Sequence, residues 1–149
     1  DNEFIYIAVG GNIMTIATHR HGCCVLQRCI DFASPEQASA LATEIASKSL
    51  ELVQDAFGNY VVQYILDMQL EGISHLVMMN LRGNYPMLSL QKFSSNVVEK
   101  CVQMASSEML GYMLKEVEQA GQLELLLRDP YGNYVIQRLL TCCTNAQVS

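Results

Sequence analysis

An internal repeat constrains this chain more than any other feature. Four segments align without gaps: HGCCVLQRCI from His21, FGNYVVQYIL from Phe57, FSSNVVEKCV from Phe93 and YGNYVIQRLL from Tyr131, with starts 36, 36 and 38 residues apart. Each opens on an aromatic residue or His, continues with a small residue, and then keeps one order of polar, polar, apolar, apolar, polar. A period of this length marks a supersecondary unit that cannot bury its apolar face alone and stacks on its neighbours.

Within each signature segment the two aliphatic residues inside the polar set, and those after it, fall on one face of a 3.6-residue helix. These helices are expected to begin near Gly22, Gly58, Ser94 and Gly132. Between them lies a second amphipathic stretch, best marked at Ser34-Pro35-Glu36-Gln37, where Ser can cap, Pro can take the first turn and Gln can complete a capping box. Ser106 before SEMLGYMLKEV repeats the signal. Shorter apolar pieces (IMTIAT, SLELVQ, MLSLQK and LELLLR) lead into the signature segments. Val, Ile and Tyr also favour strands, but the two-residue alternation of a half-buried strand is absent. The two extra residues of the last interval are expected near Gly121, where EQAGQ reads as a loop.

The predicted architecture is all-α, an α-solenoid of about four repeats that is a fragment of a longer array. Residues 1–10 read as the end of a preceding repeat, and the repeats run around 11–46, 47–82, 83–118 and 119–149. FIYIAV resembles a connecting helix without its partner. At the other end TCCTNAQVS stops just after a signature helix, with no polar capping repeat.

Composition then narrows the class. The chain has 149 residues, half of them hydrophobic, enough for a real core. No apolar run approaches the roughly 18 residues of a membrane span, and the start at Asp1, Asn2 and Glu3 lacks the basic residues of a signal peptide. A soluble, cytoplasmic protein without membrane association is the expectation. Cys23, Cys24, Cys29, Cys101, Cys142 and Cys143 lie in apolar stretches without regular loop spacing, which fits reduced core thiols better than a disulfide framework. No CxxC pair or Cys/His cluster has zinc-ligand spacing, and His19 and His21 stand alone, so no metal or other cofactor is expected.

A formal charge of −6 argues against sequence-blind binding to a phosphate backbone, which rests on dense Lys and Arg. Six of the nine basic residues nevertheless lie in or beside the signature segments: Arg20, Arg28, Lys92, Lys100, Arg128 and Arg138. Salt bridging between neighbouring repeats is one reading of that clustering.

The polar set itself carries the chemistry. Residues four apart on a helix share a face, and the residue after the first points to its flank. Positions one and five can therefore meet the edge of a planar base while position two lies against its ring. The sets are Cys23, Cys24 and Gln27; Asn59, Tyr60 and Gln63; Ser95, Asn96 and Glu99; and Asn133, Tyr134 and Gln137. The bland alternative is that all of these are solvated residues on scaffold helices, but a solvated face needs no repeated identity. For Tyr60 and Tyr134 the alternative is core packing, yet a flanking Asn places each ring on the polar side. Phe57, Phe93 and Tyr131 read instead as packing between repeats.

HRHGCCVLQRC, GNYVVQ, FSSNVVEKCV and YGNYVIQ, in that order, resemble the PUF (Pumilio) family over essentially the whole chain. Such repeats read RNA one base each through two or three side chains. The resemblance implies a concave face that binds single-stranded RNA, with Asn-Tyr-Gln sets reading uracil, Ser-Asn-Glu reading guanine and Cys-with-Gln reading adenine. Because the family runs antiparallel to its RNA, the sets taken from Asn133 back to Cys23 give 5′-UGUA-3′. Amide chemistry agrees: a Gln can donate to one uracil carbonyl and accept from its N3–H, and an Asn can donate to the other carbonyl. Guanine presents two adjacent donors, which the two oxygens of Glu99 can meet. One position departs from the family, which usually places Arg or an aromatic where this chain has Cys24, a poor stacking platform.

The resemblance further implies a post-transcriptional regulator acting on mRNA 3′-UTR elements to control stability or translation. Repressor or deadenylase proteins would dock on the convex face; Glu116, Glu118 and Glu124 are compatible with such a face, and a solvated charged face is the alternative. The competing reading is a peptide-binding scaffold of armadillo or HEAT type, which has no reason to repeat base-reading triplets. An enzyme is not expected, since no nucleophile–base pair, phosphate-binding Gly loop or metal motif occurs, and no small-molecule substrate is implied.

Overall fold

The computed structural model describes residues 2–148, with side chains described through Asn145, and among the described residues it holds twelve α-helices and no strand. Four are short: α2 (Ile13–Ala17), α5 (Ser49–Leu52), α8 (Tyr85–Ser89) and α11 (Leu123–Arg128). Each leads into a signature helix: α3 (Gly22–Asp31), α6 (Gly58–Asp67), α9 (Ser94–Met104) or α12 (Gly132–Val148). The connecting helices are α1 (Glu3–Gly10), α4 (Pro35–Ser47), α7 (Ile73–Leu81) and α10 (Ser107–Gln119). The signature helices start where the repeat predicted, and the all-α expectation holds. None of the helices is long and apolar enough to cross a membrane among the described residues.

The chain divides into two compact units, Asp1–Asn80 and Leu81–Ser149. In the first, α3 packs on α2, α4 and α6 over Ile13, Leu26, Ile30, Leu41, Ile45, Leu52 and Ile65, all buried. In the second, α9 packs on α8 and α12, and α12 on α10 and α11, over Leu88, Val98, Val102, Met113, Leu126 and Leu139. Each such side chain, removed from water, contributes about 1.5–3 kcal/mol.

The predicted caps are present. Ser34 Oγ accepts from the Gln37 amide at 3.2 Å while Gln37 Oε1 accepts from the Ser34 amide at 3.0 Å, closing a full capping box with Pro35 in the first turn. Gln37 also donates to Glu3 at 2.9 Å, which links α4 to α1. Ser106 Oγ accepts from the Met109 amide at 3.2 Å and starts α10. The Glu116 carboxylate of α10 accepts from the amides of Gly83 and Tyr85, so it caps the otherwise unsatisfied N-terminus of α8.

Two expectations are corrected. The third short helix begins at Tyr85, ahead of MLSLQK, because Pro86 suits its first turn and Glu116 caps it there. The two extra residues of the last interval do not lie near Gly121. Gly83 and Gly121, with φ of 90° and 64°, are equivalent turn glycines two residues before α8 and α11. Gln119 to Gly132 has the same length as Leu81 to Ser94, so the extra pair is absorbed upstream, where α10 has 13 residues against 9 in α7. Residues added to a helix keep their backbone groups paired, as a longer loop would not.

Candidate nucleic-acid interface

Side-chain caps fix where three of the four signature helices start, α3, α6 and α12, and with it the heading of their polar sets. Asp55 Oδ2 accepts from the amides of Phe57 and Gly58 at 2.9 and 2.8 Å, and Asp129 Oδ2 accepts from Tyr131 and Gly132, both at 2.8 Å. In the first repeat His19 Nδ1 does the same for His21 and Gly22, both at 3.1 Å. A short acceptor near the helix start satisfies orphan donors and suits the positive end of the helix dipole. The sequence reading missed this device, although an Asp two residues before the aromatic of both GNY segments was a usable signal.

The three positions of each set have distinct environments. Tyr60 and Tyr134 are each 57% exposed, so neither ring is a core residue and each can take a stacked partner. Asn59 is only 1% exposed: its amide donates to the carbonyls of Asp55 at 2.8 Å and Ala56 at 3.0 Å. Gln63 donates to Asn59 Oδ1 at 3.0 Å, and Gln137 donates to Asn133 Oδ1 at the same distance. Asn133 donates to the Asp129 carbonyl at 2.6 Å. The sequence expectation had Asn donating to a uracil carbonyl, whereas both N–H groups of Asn59 are taken by backbone and its oxygen orients Gln63. A Gln that spends one N–H on Asn keeps one donor and one acceptor, the pair that matches the adjacent carbonyl and N3–H of uracil.

In α9, Ser95 is buried, Asn96 is exposed and donates to the Lys92 carbonyl at 3.3 Å, and Glu99 is half-buried. Glu99 Oε1 lies 4.0 Å from Arg138 Nε of α12. A cavity of about 170 Å³ opens there, lined by Glu99, Tyr134, Gln137, Arg138 and Thr141, so the structure brings members of two polar sets to one place. In α3, Cys23 is buried and its Sγ donates to the Arg20 carbonyl at 3.4 Å, while Cys24 is exposed and Gln27 half-buried.

Burial pushes the Cys23 thiol up, and it pushes Cys101 up to about 12, so both are held as neutral thiols. All six cysteines are free, but Cys24 lies at the surface and is not the core thiol that its apolar surroundings suggested. Phe57 and Phe93 are half-buried and Tyr131 is exposed, so the packing role read for these rings is incomplete. Of the basic residues, Arg138 approaches an acid of the preceding repeat, whereas Arg128 pairs with Glu124 inside α11 at 2.7 Å. Glu116 is half-buried and caps α8, whereas Glu118 and Glu124 are both exposed, Glu124 in its pair with Arg128. Among the described residues no three His, Cys, Asp or Glu side chains come together as a metal site.

An all-α chain that offers one polar triplet per repeat, at one register of its signature helices, defines a helical-repeat protein. The sequence profile of the Pumilio-family RNA binding repeat matches residues 12–46, 49–69, 84–118 and 125–149, and the chain belongs to that family. It is 46% identical over 138 residues to Pumilio homolog 12 of Arabidopsis thaliana, covering 93% of this chain and 23% of that protein. It is 41% identical over 144 residues to Pumilio homology domain family member 4 of Saccharomyces cerevisiae, covering 93% of this chain and 16% of that one. Among solved structures, the Puf4 RNA binding domain bound to an HO endonuclease RNA 3′ UTR recognition sequence superposes with a TM-score of 0.85 at 38% identity, over 96% of this chain and 46% of that one. The RNA-binding domain of yeast Puf5p bound to MFA2 RNA superposes with a TM-score of 0.77 at 32% identity, over 93% and 43%. The chain therefore spans about a quarter or less of these curated relatives and under half of these RNA-bound domains.

Proposed function

We propose that this chain binds single-stranded RNA sequence-specifically, one base per repeat, with 5′-UGUA-3′ as its element. The observation that carries the reading is the recurrence of a three-residue set at one register of four equivalent helices, Cys23/Cys24/Gln27, Asn59/Tyr60/Gln63, Ser95/Asn96/Glu99 and Asn133/Tyr134/Gln137. Exposed Tyr60 and Tyr134 supply stacking surfaces, Gln63 and Gln137 are steered by their own Asn, and Glu99 offers paired acceptors for guanine. Family membership favours RNA over the peptide ligand of an armadillo or HEAT scaffold.

On this reading the protein is a non-enzymatic scaffold that controls the stability or translation of cytoplasmic mRNA through 3′-UTR elements, with repressor or deadenylase proteins docking away from the RNA. Base stacking contributes about 1–3 kcal/mol per base and association costs on the order of 4–15 kcal/mol, so four bases give a Kd of about micromolar or weaker. Selection from a random RNA pool should enrich UGUA, and titration should favour UGUA over UCUA. Equal binding of those two oligonucleotides, or tighter binding of peptides than of RNA, would reject the reading.

A further inference from the structure

Arg138 follows Gln137 in the last signature helix, and its guanidinium reaches toward Glu99 of the preceding set, 39 positions earlier in the chain. Its Nε is buried and has no hydrogen-bond partner, and Oε1 of Glu99 lies 4.0 Å away, just beyond bonding reach. The side chains are 41% and 26% exposed and share one small cavity with Tyr134 and Gln137. A buried N–H without an acceptor is rare enough to need an explanation.

We propose that Arg138 is the positioning residue for guanine recognition. It holds the Glu99 carboxylate aimed, so that both oxygens face the guanine donors. This rests on the RNA reading above. A carboxylate has about four lone-pair sites, enough for the two guanine donors and the Arg138 Nε–H together. A base stacked beside Tyr134 covers the cavity and excludes water from it, which strengthens a charge-assisted bond between Nε and Oε1 and favours its closure. The guanidinium also offsets the repulsion between Glu99 and the RNA phosphates, which an unaccompanied acid on this surface would suffer. Uracil at the same place offers a single N3–H flanked by carbonyls, so an aimed and charged Glu99 rejects it. Arg138 thus acts on base choice through Glu99, without touching the base.

The test is the ratio of affinities for UGUA and UUUA oligonucleotides at one salt concentration, in the unmodified chain, Arg138→Gln, Arg138→Lys, Glu99→Gln and the double Glu99→Gln/Arg138→Gln variant. Arg138→Gln should lower the ratio about tenfold, the effect of one charge-assisted hydrogen bond. Arg138→Lys should recover part of it, and Arg138→Gln should leave the ratio unchanged once Glu99 is Gln. Equal weakening toward both RNAs would overturn the proposal, because a phosphate contact or a fold prop acts on both alike. So would the same effect of Arg138→Gln in the Glu99→Gln background. Circular dichroism melting separates a folding loss from either, and Arg138→Lys carries the test if Arg138→Gln unfolds. An unmodified chain that does not distinguish the two RNAs rejects the base reading itself, before Arg138 is altered.

Discussion

Ser94 Oγ donates to the Leu88 carbonyl at 2.6 Å, at the register where the other three signature helices carry glycine. At Gly22, Gly58 and Gly132 an added Cβ would lie 2.3, 2.8 and 2.9 Å from the carbonyl oxygens of Ile16, Leu52 and Leu126, each six residues earlier. Close backbone approach there seats each short helix against its signature helix. Serine satisfies the same site by turning a contact with the carbonyl into a hydrogen bond, and it is fully buried in doing so.

From this follows a contrast between two glycine substitutions. Gly58→Ala drives a methyl into the Leu52 carbonyl and side chain, so it should destabilise the fold by about 1–3 kcal/mol, the range for overpacking. Gly111→Ala lies in the exposed interior of α10 with no atom near its added Cβ and should stabilise by about 0.5–1 kcal/mol. Thermal melts of the two variants should move in opposite directions; a lower melting temperature for Gly111→Ala would contradict the helix-propensity account.

Exchanging the guanine set for a uracil set should switch specificity. In Ser95→Asn/Asn96→Tyr/Glu99→Gln, the new Asn at 95 meets the carbonyls of Gln91 and Lys92, which stand where Asp55 and Ala56 stand for Asn59. The amide can therefore be satisfied while buried, and the fold should tolerate it. Loss of the carboxylate leaves the two guanine donors unmatched at about 1–3 kcal/mol, so the UGUA to UUUA affinity ratio should invert by about tenfold or more. The ratio must be read at one salt concentration, because removing a negative charge raises RNA affinity in general. An unchanged ratio in a helical, monodisperse variant would remove Glu99 from the list of base readers.

Cys24 is the exposed member of the adenine set, and a thiol offers little stacking area. Cys24→Arg should tighten UGUA binding by about 1 kcal/mol through guanidinium stacking. Fluorescence titration of the variant checks this, and no gain would mean that Cys24 does not face the adenine or its neighbour.

Alkaline pH should loosen the second unit. Burial raises the Cys101 thiol from its ordinary value of 9.0 to about 12 and raises Tyr85 as well. A folded-state pKa above the unfolded one stabilises fully below the unfolded value and is lost as pH rises through the folded one. The melting temperature should therefore fall between about pH 9 and pH 12, and Cys101→Val should soften that fall. At pH 8 iodoacetamide should label Cys24 and spare Cys101, with peptide mass spectrometry as the readout.

The 36-residue period, the starts of α3, α6, α9 and α12, the capping box at Ser34 and the twelve members of the four polar sets could all be read from the chain itself. Helix periodicity and caps are local, made between residues a few positions apart, so order along the chain already determines them. Which member of a set turns inward could not be read that way. Asn59 and Tyr60 are neighbours of similar polarity, yet one is buried on backbone carbonyls and the other exposed, because the heading of the helix is fixed by Asp55 and its packing by α3 and α4. Nor could the chain reveal that Glu116 serves the start of α8, or that Arg138 approaches Glu99 of the preceding repeat. Those pairings join residues 31 and 39 positions apart, and only the packing of one helix against the next decides which distant polar groups lose their water together.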